Sequence, residues 1–247
     1  MKKKVLAVAL AVVLIAIMVG GSLAYFTDND KVTNTFTIGS VLIDIYENGS
    51  ITDKDVIEFA EPMMPVVDKT NLSNDPGYFE KVIKVESNGE NAAYIRTLIA
   101  IPKNLVDYLI LDLNNDNSWA LVATYDVEAE DGITYKVYAY DHLAAVAPKD
   151  DNGEDGFTSD LLKGVYLDSS VDIKDNPDTA TADLEFCKPN GNGYTFSGFT
   201  AHSKVTDGYT TNTISVLVAA QAIQAQGFND ATTALNTGFP VGTNPWQ

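Results

Sequence analysis

Between residues 93 and 101 the side chains alternate in character: Ala93, Ile95, Thr97, Ile99 and Ile101 interleave with Tyr94, Arg96, Leu98 and Ala100. A repeat of two places successive residues on opposite faces of an extended chain, which a helix with its 3.6-residue turn cannot do. The same period runs through Ile133, Tyr135, Val137 and Ala139 and through Val41, Ile43 and Ile45. Residues 79–86, 119–127, 161–173, 180–186 and 213–224 read as further strands, rich in β-branched and aromatic side chains. Turn clusters separate them, among them Asn48-Gly49-Ser50, Asn88-Gly89, Asp131-Gly132, Asn190-Gly191-Asn192-Gly193 and Asp207-Gly208. The pattern predicts an all-β chain, an antiparallel β-sandwich of about nine strands. One or two short helices are expected: residues 105–113, after Pro102, and residues 230–235, capped by Asn229 or Asp230. Residues 48–74 and 148–156 read as excursions from the sandwich, and no solenoid repeat is present.

The start of the chain has a different grammar. Lys2, Lys3 and Lys4 precede an uncharged apolar run from Val5 to Val19, 15 residues long. That length suits a secretory signal and falls short of the ~20 residues that span a bilayer. Ser22 and Ala24 supply the small side chains that a signal peptidase needs at −3 and −1, so the mature chain is expected to begin at Tyr25. The alternative is a retained anchor, if the apolar run is extended through residues 20–24. Residues 1–24 are therefore read as a signal peptide and residues 25–247 as a single β-sandwich domain. Loss of three lysines and no acid takes the net charge from −18 to −21. Such a surface repels nucleic acid and anionic lipid, and leaves membrane contact to the precursor. Cys187 is the only cysteine, so an exported chain of this composition has no intrachain disulfide. Its acidic setting favours a buried, inert thiol over a nucleophile.

The stretch Gly20-Gly21-Ser22-Leu23-Ala24-Tyr25-Phe26-Thr27-Asp28, followed by Asn34-Thr35-Phe36-Thr37-Ile38-Gly39 and Val41-Leu42-Ile43-Asp44-Ile45, resembles the N-terminus of the TasA/camelysin family. Those are secreted proteins of Gram-positive bacteria processed by a SipW-type signal peptidase. Shorter echoes follow in Asp75-Pro76-Gly77, residues 84–89, Ala93-Tyr94-Ile95-Arg96 and residues 222–228. The resemblance implies a jelly-roll sandwich, an extracellular or cell-surface location, and homopolymeric fibres of a biofilm matrix. No Leu-Pro-x-Thr-Gly segment occurs, so covalent wall anchoring is not expected.

Camelysin has been described as a metalloprotease, which makes a catalytic search necessary. The chain has two histidines, His142 and His202, sixty residues apart, and no His-Glu-x-x-His. No Gly-x-Ser-x-Gly elbow occurs either. The expectation is a protein that is not an enzyme and carries no cofactor. A loose calcium site in the acidic loops 112–116 and 150–156 is the one metal possibility, although neither loop has the acid at position 12 of an EF-hand: Ala123 and Leu162 stand there.

Residues 25–39 are the expected functional segment. Thr33, Thr35, Thr37 and Gly39 alternate with Asn34, Phe36 and Ile38, so this strand can extend a neighbour's sheet by backbone pairing while Phe36 and Ile38 find pockets. Tyr25, Phe26, Asn34, Phe36, Ile38 and Gly39 are its candidate polymerisation residues, released once cleavage frees Tyr25. The plainer alternative makes 35–46 the first strand of the chain's own sandwich and 25–34 a frayed leader. Pattern alone favours the plainer reading, and the family resemblance favours donation. Two other functions compete: a camelysin-like cell-surface metallopeptidase, and a soluble carbohydrate-binding or adhesive module that stacks sugars on Tyr135, Tyr138 and Tyr140.

Overall fold

The computed structural model describes residues 27–30, 41–52, 56–58, 63–130, 132–149, 156–206 and 208–246. In chain order the strands are β1 (Thr27–Asp30), β2 (Ile43–Glu47), β3 (Ser50–Ile51), β4 (Val56–Glu58), β5 (Tyr78–Ser87), β6 (Ala93–Pro102), β7 (Leu109–Leu113) and β8 (Trp119–Glu128). They continue as β9 (Thr134–His142), β10 (Leu162–Leu167), β11 (Asp172–Asp175), β12 (Leu184–Pro189), β13 (Tyr194–Val205), β14 (Gly208–Thr211) and β15 (Ser215–Gln224), before helix α1 (Ala231–Gly238).

Two antiparallel sheets make the sandwich. One is ordered β1-β15-β6-β9-β8, with β4 also on β15, and the other β3-β2-β5-β10-β7. The all-β expectation holds, and the chain crosses repeatedly between the layers, as at β5 to β6 and β9 to β10. Alternation explains the packing: Ile43 and Ile45, Ile83 and Val85, and Leu162, Val165 and Leu167 face Ile95, Ile99, Ile101, Val216 and Val218 in one core. A third sheet, β11-β12-β13-β14, joins that core through Phe186, whose ring stacks on Phe199 at 5.9 Å.

The six-stranded sheet is buried on its outer face too. Leu98, Ala100, Val137, Ala139, Leu217 and Ala219 pack there with Trp246. Ala231, Ala234 and Leu235 of α1 cover Ile223. Asp230 caps α1, its carboxylate accepting from the Thr233 N–H at 2.8 Å. With both faces covered, β6 and β15 lose the polar-out half of the alternation and read as nearly continuous apolar runs.

Turn chemistry places several elements. Asn48 and Gly49 have φ of 50° and 82°, the paired positive angles of a tight hairpin joining β2 to β3. Residues 161–173 form two strands rather than one, because Asp168 turns the chain by accepting from both the N–H and the hydroxyl of Ser170. The helical reading of 105–113 is corrected. Only one 3-10 turn forms, Lys103–Leu105, and β7 follows it. Leu105, Val106, Leu109 and Ile110 mimic helical spacing, yet Leu109 is buried and Leu111 and Leu113 pack on the core at a period of two. Residues 48–74 also carry β3 and β4.

Candidate functional site

Strand β15 has the burial of a central strand, with nine consecutive buried residues from Val216 to Gln224. On one side it is fully registered with β6, from Leu217↔Ala100 to Gln224↔Ala93. Its other side is covered by two short segments. β4 pairs through Ser215↔Glu58, Val216↔Ile57 and Leu217↔Val56. β1 pairs through Thr27↔Ile223, Asp28↔Ala222, Asn29↔Gln221 and Asp30↔Ala220. Val218 and Ala219 lie between these two registers.

This edge is the candidate site. A ten-residue strand buried on both faces cannot leave its backbone amides without partners, since each buried unpaired group costs about 1–3 kcal/mol. The N-terminal segment supplies its share of that pairing, opposite Ala220–Ile223, with only four residues. A few backbone hydrogen bonds at ~1 kcal/mol each hold it, and an identical strand from another copy makes the same bonds. Small side chains on β15, Ala219, Ala220 and Ala222, let the layers above and below close tightly over it.

The sequence-predicted residues fall unevenly around the site. Ser22, Ala24, Tyr25, Phe26, Asn34, Phe36, Ile38 and Gly39 lie outside the described residues. Thr27–Asp30 is a strand of the chain's own sheet, so that part of the leader is not frayed. β15 itself was recognised as a strand without being singled out as a receiving edge. The signal present in the sequence is the run Val216-Leu217-Val218-Ala219-Ala220, too apolar for a strand with one wet face.

A zinc centre was tested against the available donors. Both histidines and the one cysteine of the chain are among the described residues. His142 ends β9, 8% exposed, with Nδ1 2.7 Å from the Ala144 carbonyl and its ring edge-on to Trp119 at 4.9 Å. Burial pushes its pKa down. His202 lies on β13 in the third sheet, opposite Leu184 and Thr211, with Nδ1 3.2 Å from the Thr211 hydroxyl. Cys187 is fully buried on β12, and its thiol is pushed up by burial. Among the described residues no three His, Cys, Asp or Glu side chains gather to hold an ion. Among the described residues the donors do not meet the requirement of a zinc peptidase, whose metal needs at least three converging ligands.

The acidic loop near β7 is committed internally. Asp112 accepts from the Tyr78 hydroxyl at 3.0 Å, and Asp116 accepts from the Ser118 N–H at 2.9 Å. Residues 150–155 lie outside the described set. The tyrosines considered for sugar stacking are packing residues in two of three cases: Tyr135 is 1% exposed and Tyr140 7%. Tyr138 is half-buried against the main core.

No match was found among curated proteins or among solved structures. The family that does match, described as camelysin metallo-endopeptidase, does so over a segment that contains neither histidine nor the cysteine. Over residues 1–86 this chain is thus similar to the camelysin family, in agreement with the resemblance carried by its opening residues.

Proposed function

We propose that the protein is a secreted structural subunit of an extracellular fibre or biofilm matrix, polymerising by exchange of its N-terminal strand after removal of residues 1–24 by a SipW-type signal peptidase. The observation that carries this reading is the β15 edge: a strand buried from Val216 to Gln224 whose stretch Ala220–Ile223 is completed by only four N-terminal residues. Exchange of an identical element between copies conserves every backbone bond and so is a low-cost route to assembly. Head-to-tail exchange propagates a filament wherever its rotation does not close into a ring. Ten residues, 31–40, separate β1 from the described start of the sandwich at Val41, enough chain to reach ~33–36 Å when extended. Once residues 1–24 are removed, the charge of −21 slows indiscriminate association, leaving assembly to the specific edge.

The test is made on the chain beginning at Tyr25. Deleting residues 25–34 should leave a folded, soluble protein with no fibres under negative stain. A synthetic peptide of residues 25–39 should bind that variant and raise its melting temperature, and a scrambled peptide should not. Fibres that persist after the deletion, or an intact chain that never forms them, overturn the proposal.

The matched family description favours a second reading, a cell-surface metallopeptidase. Proteolysis by the purified chain that a chelator abolishes and zinc restores is the result that reading requires.

A further inference from the structure

At the opposite end of the six-stranded sheet, β8 is an edge of another kind. It is ten residues long and, among the described residues, pairs only with β9. Long flat edges invite pairing, and proteins blunt them with lysine, proline, bulges or a covering segment. β8, Trp-Ala-Leu-Val-Ala-Thr-Tyr-Asp-Val-Glu, has no lysine and no proline. A bulge between Leu121 and Ala123 disturbs one end. At the other, Asn244 Nδ2 donates to the Glu128 carbonyl at 2.8 Å. Between them the one charged side chain, Asp126, is neutralised within the chain by Lys103 and Lys136.

The register fixes which backbone groups point outward. The Ala129 N–H donates to the Ile133 carbonyl at 3.1 Å, so Val127↔Tyr135 and Tyr125↔Val137 are the hydrogen-bonded pairs of this antiparallel ladder. Thr124, Asp126 and Glu128 alternate with them and turn their N–H and C=O away from β9. The Asn244 contact to the Glu128 carbonyl agrees with that parity. Thr124 and Asp126 are exposed, and among the described residues nothing pairs with their backbones. Leu121, at 52% exposure, extends the apolar character of the edge.

We propose that this edge docks a second copy of the chain, β8 against β8, antiparallel about a two-fold axis at Tyr125. That register sets Thr124 of each copy opposite Asp126 of the other, and the two pairs exchange four backbone hydrogen bonds. Tyr125 faces its own counterpart, an aromatic cross-strand pair. Charge selects the antiparallel arrangement. A parallel one aligns Asp126 with Asp126, while the antiparallel one places each acid opposite a threonine. Asp126 is further compensated within its own chain by Lys103 at 2.6 Å and Lys136 at 3.5 Å, so the edge is locally neutral on an acidic protein. The two-fold edge and the β15 edge bound the same sheet, and together they let filaments pair side by side.

Thr124→Pro tests the docking without touching the fold's own ladder, because the amide it removes points away from β9. Sedimentation velocity of the chain beginning at Tyr25, across a concentration series, should show a dimer, retained when residues 25–34 are deleted. Thr124→Pro should weaken that dimer roughly tenfold or more while leaving the melting temperature unchanged, since both symmetry-related bonds are lost. Hydrogen exchange of the wild type gives a readout independent of any variant: the Thr124 and Asp126 amides should gain protection as concentration rises. A wild-type monomer at its highest soluble concentration, a dimer indifferent to Thr124→Pro, or amides that exchange freely in the dimer would each overturn the proposal. Loss of fibres on deleting 25–34 with the dimer intact separates this edge from the N-terminal one.

Discussion

Arg96 and Asp141 form a two-pronged ion pair inside the six-stranded sheet, Nε to Oδ1 at 2.6 Å and Nη2 to Oδ2 at 3.1 Å, with side chains 1% and 0% exposed. They are directly paired across β6 and β9. The rest of the guanidinium is used by the C-terminal helix: Nη2 donates to Asn236 Oδ1 at 2.8 Å and Nη1 to the Phe239 carbonyl at 3.1 Å. A cation at the end of a helix also meets the negative end of its dipole. One residue of the sheet therefore latches α1 over the outer face.

Arg96→Met should accordingly destabilise by about 3–5 kcal/mol, because it strands a buried carboxylate and unlatches α1. The double variant Arg96→Met with Asp141→Leu should recover much of that loss, since an apolar pair of similar volume avoids the desolvation penalty. Equilibrium denaturation of the singles and the double gives the coupling. Additive losses would show that the two residues act independently.

The latch marks where sequence reading ends. Arg96 occupies an apparently polar-out position in the alternation of β6, and only the covering of that face by α1 and Trp246 makes it buried. Periodicity reports that a strand has two faces, not which segment lies on them. The strands with one dry and one wet face, such as β2 with Ile43 and Ile45 inward, were legible for that reason. β7 was not, because its leucines follow Leu105 and Val106 at spacings that a helix shares. β13 was missed because its twelve residues include no buried side chain but Ala201. At the candidate site, the N-terminal strand was legible from its alternation and from the family it resembles. The receiving edge depends on long-range order in the sheet, which no local pattern encodes.

Acid should destabilise the protein in two stages. His142 is held neutral by burial, its folded pKa below its unfolded one, so the unfolded chain binds the extra proton and stability falls as pH drops below about 6.5. The carboxylates come later. Asp168 is held low chiefly by Lys69, with Ser170 adding to it, and Asp75 by backbone N–H groups. Their stabilisation is present above about pH 4 and lost as pH falls further. His142→Gln should flatten the first stage and leave the second, as read by melting temperature against pH. A wild type with no decline between pH 6.5 and 5 would contradict the buried neutral imidazole.

Gly164 sits at the register shift of β10, under the ring of Tyr78. A Cβ added there overlaps Tyr78 Cζ and lies 2.7 Å from the Phe79 carbonyl oxygen, a backbone atom that cannot rotate away. Gly164→Ala should cost about 1–3 kcal/mol by overpacking. Adding Tyr78→Ala should relieve only the ring's share, because the carbonyl stays. Thermal melts of the two singles and the double measure that split, and a neutral Gly164→Ala would show that β10 shifts freely against β5.

The metallopeptidase reading makes a forecast that the histidines can decide. Zinc peptidases take neutral imidazoles as ligands, usually with a carboxylate, around one ion. Here His142 spends Nδ1 on the Ala144 carbonyl at the end of β9, and His202 spends Nδ1 on Thr211 in a separate sheet. Neither lies in the matched segment, residues 1–86. Replacing both by glutamine should therefore leave unchanged whatever proteolysis the purified protein shows, apart from the stability loss at His142. Assays on a casein substrate, with and without chelator, compare the double variant with the wild type at a temperature where both are folded. Chelator-sensitive cleavage that disappears in the double variant would establish a histidine-held metal, and the strand-exchange function would then have to share the chain with a catalytic one.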